Sequence, residues 1–169
     1  MWYIILFFAT LLIDQISKIA LDALLEYNVP HVLIKGTLNI RMNYNTGASF
    51  SFLHNEEWAQ IFFFVLTSVV LIAGITYVCI KKPKGRWLNS TLALLFSGTI
   101  GNFIDRVSFG HVRDFIDVPF FANFNIADCC LCIGAVMLVI YVLFLDDDAV
   151  FRSKKSKEER KAKKQQEEK

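Results

Sequence analysis

WAQIFFFVLTSVVLIAGITYVCI, residues 58–80, carries no charged side chain. A helix needs roughly 17–25 apolar residues to cross a bilayer, so this stretch predicts a membrane span and sets the fold class. Three other segments repeat the pattern. Trp2–Leu25 is apolar apart from Asp14, Gln15, Ser17, Lys18 and Asp22; Leu88–Ile104 has no charge; Asn123–Leu145 carries only Asp128. With 54% hydrophobic residues and 16 phenylalanines, the chain exceeds the apolar share of a soluble domain. The expected fold is a mainly α membrane protein with four transmembrane helices and a small β-sheet on the outer, membrane-facing surface.

A cleavable signal peptide at the N-terminus would need a basic leading region and a small-residue cleavage site. Met1-Trp2-Tyr3 offers no basic group, so a first span is the better reading. Of the 18 Lys and Arg, four fall in residues 81–86 and nine in 152–169. With four spans these lie on the same side as the N-terminus, and positive charge marks that side as cytoplasmic. Residues 1–150 therefore read as one membrane core, with the sheet at about 26–57, and residues 151–169 as a basic cytoplasmic tail. The tail reads as a solvated end, with a helix lying on anionic headgroups as its alternative. Nucleic-acid binding would need a folded basic face, which a single polar tail does not offer.

Within the outer loop, Leu38, Ile40, Met42 and Tyr44 alternate with Thr37, Asn39, Arg41, Asn43 and Asn45. Period 2 predicts a half-buried strand over Thr37–Asn45, and His31–Lys35 before Gly36 supplies a neighbour. Thr46–Ser49 turns the chain, and Phe50, Phe52 and Leu53 return it to the bilayer. In the third span Ala93, Ser97 and Gly101, with Gly98 beside them, form a small-residue stripe that lets helices approach closely. Cys79, Cys129, Cys130 and Cys132 lack zinc-site spacing and read as packing residues.

Asp105, Asp114, Asp117 and Asp128 crowd into the outer end of the last two spans. Carboxylates at a bilayer edge are costly and are usually kept where they act. Asp105 falls at the C-terminal end of an outward-running helix, where the dipole disfavours an anion, so Arg106 or Arg113 is expected beside it. Asn125 reads as an N-cap with Asp128 at N3, half of a capping arrangement. Asn45, Asn102, Arg106 and Asn125 fall on the same side. By spacing alone, ordinary interfacial polarity and a built site explain this set equally well. His31, His54 and His111 read as lone solvated residues at the aqueous edge, and Asp117 as solvated charge. A proton-coupled carrier would place its acids near the bilayer midplane and repeat internally. Neither feature is visible.

The motifs themselves go further. Asp14-Gln15-x-x-Lys18, Asn45-Thr46-Gly47-Ala48-Ser49-Phe50-Ser51, Gly98-x-x-Gly101-Asn102-x-x-Asp105-Arg106, Gly110-x-Val112-x-Asp114-Phe115 and Phe124-Asn125-x-Ala127-Asp128 occur in this order. From Leu12 to about Gly134 the chain resembles the bacterial lipoprotein signal peptidases (signal peptidase II), a family of intramembrane aspartic proteases. The resemblance implies Asp114 and Asp128 as the catalytic pair. It implies Asn45, Asn102, Arg106 and Asn125 as residues that position substrate and the pair, with Asp14, Lys18 and Asp105 bracing the site. Asp14 and Lys18, at i and i+4, are expected to pair.

The implied substrates are lipid-modified prolipoproteins, cut just before a diacylglyceryl-modified cysteine, with membrane lipids as the other partners. No metal and no cofactor is implied. The expected protein is a monomer in the bacterial cytoplasmic (inner) membrane, with both termini cytoplasmic and the active site at the outer face. Ser49 stands where the family usually has Ala, and Cys129 where a Ser is common; both are small and should change packing only. Two adjacent carboxyls cannot both ionise cheaply, so the pair is expected to hold one shared proton. A helix N-terminus favours the anion on Asp128, leaving Asp114 protonated.

Overall fold

A computed structural model describes residues 2–46, 65, 66, 69, 72–74, 76, 85–119 and 121–145. Most of the expected second span at 58–80, the turn after Thr46 with Phe50, Phe52 and Leu53, Lys81–Lys84 and the basic tail lie outside the described residues.

Helix α1 spans Trp2–Leu24, strand β1 His31–Ile34 and strand β2 Leu38–Asn45. Helix α2 covers Arg86–Phe109, strand β3 Val112–Asp117 and helix α3 Ile126–Ile140, which continues as a π-helical turn over Tyr141–Leu145. The three strands form one antiparallel sheet in the order β1-β2-β3. Two described helices are long and apolar enough to cross a membrane, Trp2–Leu24 and Ile126–Leu145.

The burial pattern is inverted relative to a water-soluble protein. Ile5, Leu12, Ile13, Ile16 and Ile19 of α1 are exposed, as are Ile133, Val136 and Val139 of α3. Asp14, Lys18, Asn102, Asp105, Arg113, Asp114 and Asn125 are buried instead. Lys18, at 0% exposure, is the largest of the fully buried side chains described. Apolar outside and charged inside is stable when lipid is the solvent, because only the protein interior offers partners to charge.

The small-residue stripe of α2 lies in the helix interface, with Ala93, Ser97, Gly98 and Gly101 all buried. A Cβ at Gly98 would come 2.5 Å from the carbonyl oxygen of Ala127 on α3. At Gly101 it would come 2.6 Å from Asp14 Oδ2. These two positions have no room for a methyl group, so α1, α2 and α3 converge there. Thr10 Oγ1 donates to Ser97 Oγ at 2.8 Å and ties α1 to α2 one turn deeper. Gly74, in the second hydrophobic segment, lies against the Phe96 ring.

Strand β3 falls on residues 112–117, where the sequence offers no period-2 signal. The strand is buried on both faces except at Ile116, so its sequence lacks the alternation that betrayed β2. Gly110, at φ 75°, ends α2 in the left-handed conformation, with its N–H on Arg106 O at 3.1 Å. That cap reverses the chain into β3. The return segment 121–125 then pairs with β3 through Ile116 and Phe124 and carries the chain to the start of α3.

Candidate active site

Asp114 stands on β3, and Asp128 is the third residue of α3. Two asparagines join them. Asn125 Nδ2 donates to Asp114 Oδ1 at 2.6 Å and to Asn102 Oδ1 at 3.1 Å, while Asn102 Nδ2 donates to Asp128 Oδ1 at 2.8 Å. The cap expected at Asn125 is complete. Its side chain accepts from Asp128 N at 3.0 Å, and Asp128 Oδ2 accepts from Asn125 N at 3.2 Å. Both oxygens of Asp128 are therefore engaged, one by the helix cap and one by Asn102, which fixes the orientation of the carboxylate.

A β-bulge brings the third asparagine, Asn45 of β2, into place. Asn39 pairs with Asp117 and Ile40 with Ile116, but past the irregularity Asn43 pairs with Asp114 and Asn45 with Val112. The register has slipped by one residue, which transfers the end of β2 to the opposite face. Asn45 Nδ2 then reaches Asp114 Oδ2 diagonally at 2.9 Å. Asp114 thus accepts an amide on each oxygen, from Asn45 and Asn125, and is 1% exposed. Burial, reinforced by the nearby charge of Asp128, pushes its carboxyl up to about 7.

Beneath the two carboxyls lies a buried ion network. Lys18 Nζ is 2.9 Å from Asp14 Oδ2 and 3.4 Å from Asp105 Oδ2, and it donates to Asn102 Oδ1 at 3.0 Å. The pairing expected at i, i+4 is present. Asp14 Oδ1 accepts the backbone N–H of Ala127 at 2.8 Å. Of the two cations proposed for Asp105, Arg113 takes the role: its Nη2 is 2.8 Å from Oδ1, and its backbone N and Nε reach Oδ2 at 2.9 and 3.3 Å. Two cations and two anions balance, as a buried cluster requires. Arg106 sits apart from it, with Nη1 on Asn102 O at 3.4 Å and its charge bearing on both Asp128 and Asp114.

All nine expected site residues therefore gather in one place. Two other expectations are corrected. Asp117 is no solvated charge: it is buried, 2.7 Å from Arg41 Nη2, and it accepts from Asn39 Nδ2 at 3.0 Å. His111 is no lone solvated residue: it is half-buried, with its ring 4.4 Å from that of Tyr44. Sequence reasoning also missed Asp22 and Tyr44, which bond to each other beside Arg113. The available signal was that Asp14, Lys18 and Asp22 fall at i, i+4 and i+8 on one face of an otherwise apolar helix. Among the described residues no group of three or more His, Cys, Asp or Glu is arranged to hold a metal ion.

Comparison with known proteins shows the family. The family model described as signal peptidase (SPase) II matches residues 6–144. A lipoprotein signal peptidase of Coxiella burnetii is 40% identical over 138 residues, 79% of this chain and 84% of that relative. A lipoprotein signal peptidase of Pseudomonas aeruginosa is 38% identical over 160 residues, covering 91% and 88%. A solved bacterial membrane enzyme, its structure obtained by the in meso method, superposes with a TM-score of 0.75 at 32% identity, covering 83% of this chain and 87% of that one.

Proposed function

The chain belongs to the signal peptidase II family, membrane proteases that process the signal peptides of prolipoproteins, and on that premise we propose an aspartic mechanism run by Asp114 and Asp128. The observation that carries it is the shared amide frame: Asn102 and Asn125 bond to each other and each holds one of the two carboxyls. Asp114, pushed up to about 7, keeps its proton near neutral pH and donates it to the scissile carbonyl oxygen. Asp128, at the α3 N-terminus, is the ionised partner that takes a proton from the attacking water. The roles then exchange as the tetrahedral intermediate collapses and the amine leaves.

Asn45 and Asn125 orient the acid, Asn102 orients the base, and Arg106 adds positive charge where the oxyanion develops. Asp14, Lys18 and Asp105 hold these groups on rigid helices. The substrate is a prolipoprotein carrying a diacylglyceryl-modified cysteine. Its lipid chains stay in the bilayer while the peptide bond just before the cysteine reaches the carboxyls.

The inverted burial of α1 and α3 supports a membrane core, and the charge-free runs of the sequence extend it to four spans within residues 1–150, with Trp58–Ile80 and α2 as the second and third. Residues 151–169 form a cytoplasmic tail, the sheet and the site face the outer side of the bacterial cytoplasmic membrane, and the protein acts as a monomer. The test is cleavage of a precursor in liposomes, with the product identified by mass spectrometry. A single cut directly before the modified cysteine, absent from an unmodified precursor and lost on Asp114→Asn or Asp128→Asn, is expected. Equal cleavage of the unmodified precursor, or a metal requirement exposed by EDTA, would overturn the reading.

A further inference from the structure

Asp22 extends the polar face of α1 beyond the ion network toward the sheet. Its Oδ1 accepts from Tyr44 Oη at 2.8 Å, and its Oδ2 lies 3.8 Å from Arg113 Nη1. The Tyr44 ring stacks on that of Tyr27 at 4.9 Å and meets that of His111 at a tilt, 4.4 Å away. Tyr44 also pairs with Arg113 in the β2–β3 ladder. One side chain thus fastens the end of β2 to α1, to the segment after α1, and to the residue before β3. The next residue is Asn45, the last of β2, whose amide is on Asp114. A side chain at a strand end is only as well placed as its backbone, and strand ends open locally unless anchored.

We infer that Tyr44 is a positioning residue for the reaction: its bond to Asp22 and its ring contacts with Tyr27 and His111 hold the Asn45 amide on Asp114. The inference rests on the reading of Asp114 as the catalytic acid. The groups that face Asp114 are Asp128 from α3, Lys18 from α1 and Arg106 from α2, with amides from Asn45 and Asn125. Those that face Tyr44 are Asp22, Tyr27, His111 and Arg113. The Asp22 bond raises the Tyr44 phenol, which stays a donor across the working range. Burial pushes the His111 imidazole down, so the ring that packs against Tyr44 favours its neutral form.

An Asn45 amide on Asp114 favours the carboxylate, so loosening it raises the pKa of the acid and moves the alkaline limb of the pH profile upward. Tyr44→Phe keeps the stacked ring and removes only the bond to Asp22. In the full-length protein in liposomes it should lower kcat about tenfold with KM within about twofold, and shift that limb up by about half a pH unit. Asn45→Ala should shift the limb the same way, and the double variant should lose no more than Asn45→Ala alone. Asp22→Asn keeps an oxygen for the phenol and should stay near wild type, whereas Asp22→Leu should reproduce Tyr44→Phe. If Tyr44→Phe does not fold, the two Asp22 variants carry the same comparison without touching the strand. A wild-type pH profile in Tyr44→Phe and Asp22→Leu, or losses that multiply with Asn45→Ala, would overturn the inference. Retained activity in Asp114→Asn would instead sink the reading of Asp114, whatever Tyr44→Phe does.

Discussion

Asp14, near the middle of the first helix, accepts the backbone N–H of Ala127 in the first turn of the last one, at 2.8 Å. That amide is one of the donors a helix start leaves unsatisfied, and the neighbouring one, on Asp128, goes to Asn125. The turn that carries Asp128 is therefore capped twice, once by its own residue and once from α1.

Asp14→Ala should unpair the Ala127 N–H and strip buried Lys18 of its nearest anion, leaving it only Asp105 at 3.4 Å and the Asn102 amide oxygen. Breaking one partner of a buried ion cluster costs about 3–5 kcal/mol. Asp14→Asn keeps an acceptor for the amide and should lose less. Thermal unfolding in detergent ranks the two, and equal stability of Asp14→Ala and wild type would contradict the capping role.

Arg113 grips Asp105 with its fork and its backbone N–H, and its guanidinium lies 4.4 Å over the Phe109 ring. Lysine keeps the charge and loses the fork and the planar stack. Arg113→Lys is expected to destabilise by about 1–3 kcal/mol. Unfolding midpoints measured beside Arg113→Met separate charge from geometry; a lysine variant as stable as wild type would leave the fork without a role.

Asp114 carries its cost in stability with a definite sign. Its folded pKa, about 7, lies above the ordinary carboxyl range, so the native state holds a proton that the unfolded chain releases. Its contribution is fully present below about pH 4 and lost as pH rises to about 7, worth up to about 4 kcal/mol for the shift. The stability gap between Asp114→Asn and wild type should therefore move in favour of the variant between pH 4 and 8. A gap independent of pH would mean that Asp114 ionises normally. Activity should fall as pH rises through about 7, as the acid loses its proton.

Asp117 serves the sheet. Asp117→Ala should lower stability by about 1–3 kcal/mol, by removing the acceptor of Asn39 and the anion of Arg41, which keeps only Asn123 Oδ1, and leave the pH profile of cleavage in place. A displaced profile would bring Asp117 into the chemistry.

Much of this was legible in the sequence where the signal is local. The alternation of Leu38–Asn45 marks β2 because one of its faces is apolar. The cap at Asn125 and Asp128 follows from spacing within a single turn, and Asp14 with Lys18 from i, i+4. The rest depends on contacts between distant segments. Strand β3 hides because both its faces are buried, and the bulge that aims Asn45 at Asp114 leaves no mark in composition. Asp117 reads as solvent-facing charge in the sequence because its partners, Asn39 and Arg41, lie on another strand. Asp105 had two cations nearby, and only the turn at Gly110 decides for Arg113.

On the proposed mechanism Asp114 and Asp128 act as a single unit. Cleavage of a lipid-modified precursor in liposomes by Asp114→Asn, Asp128→Asn and the double variant tests it most directly. Residues that work as one lose activity non-additively, so each single variant should fall by at least about a thousandfold and the double variant no further. Full activity in either single variant, or losses that multiply in the double variant, would contradict it.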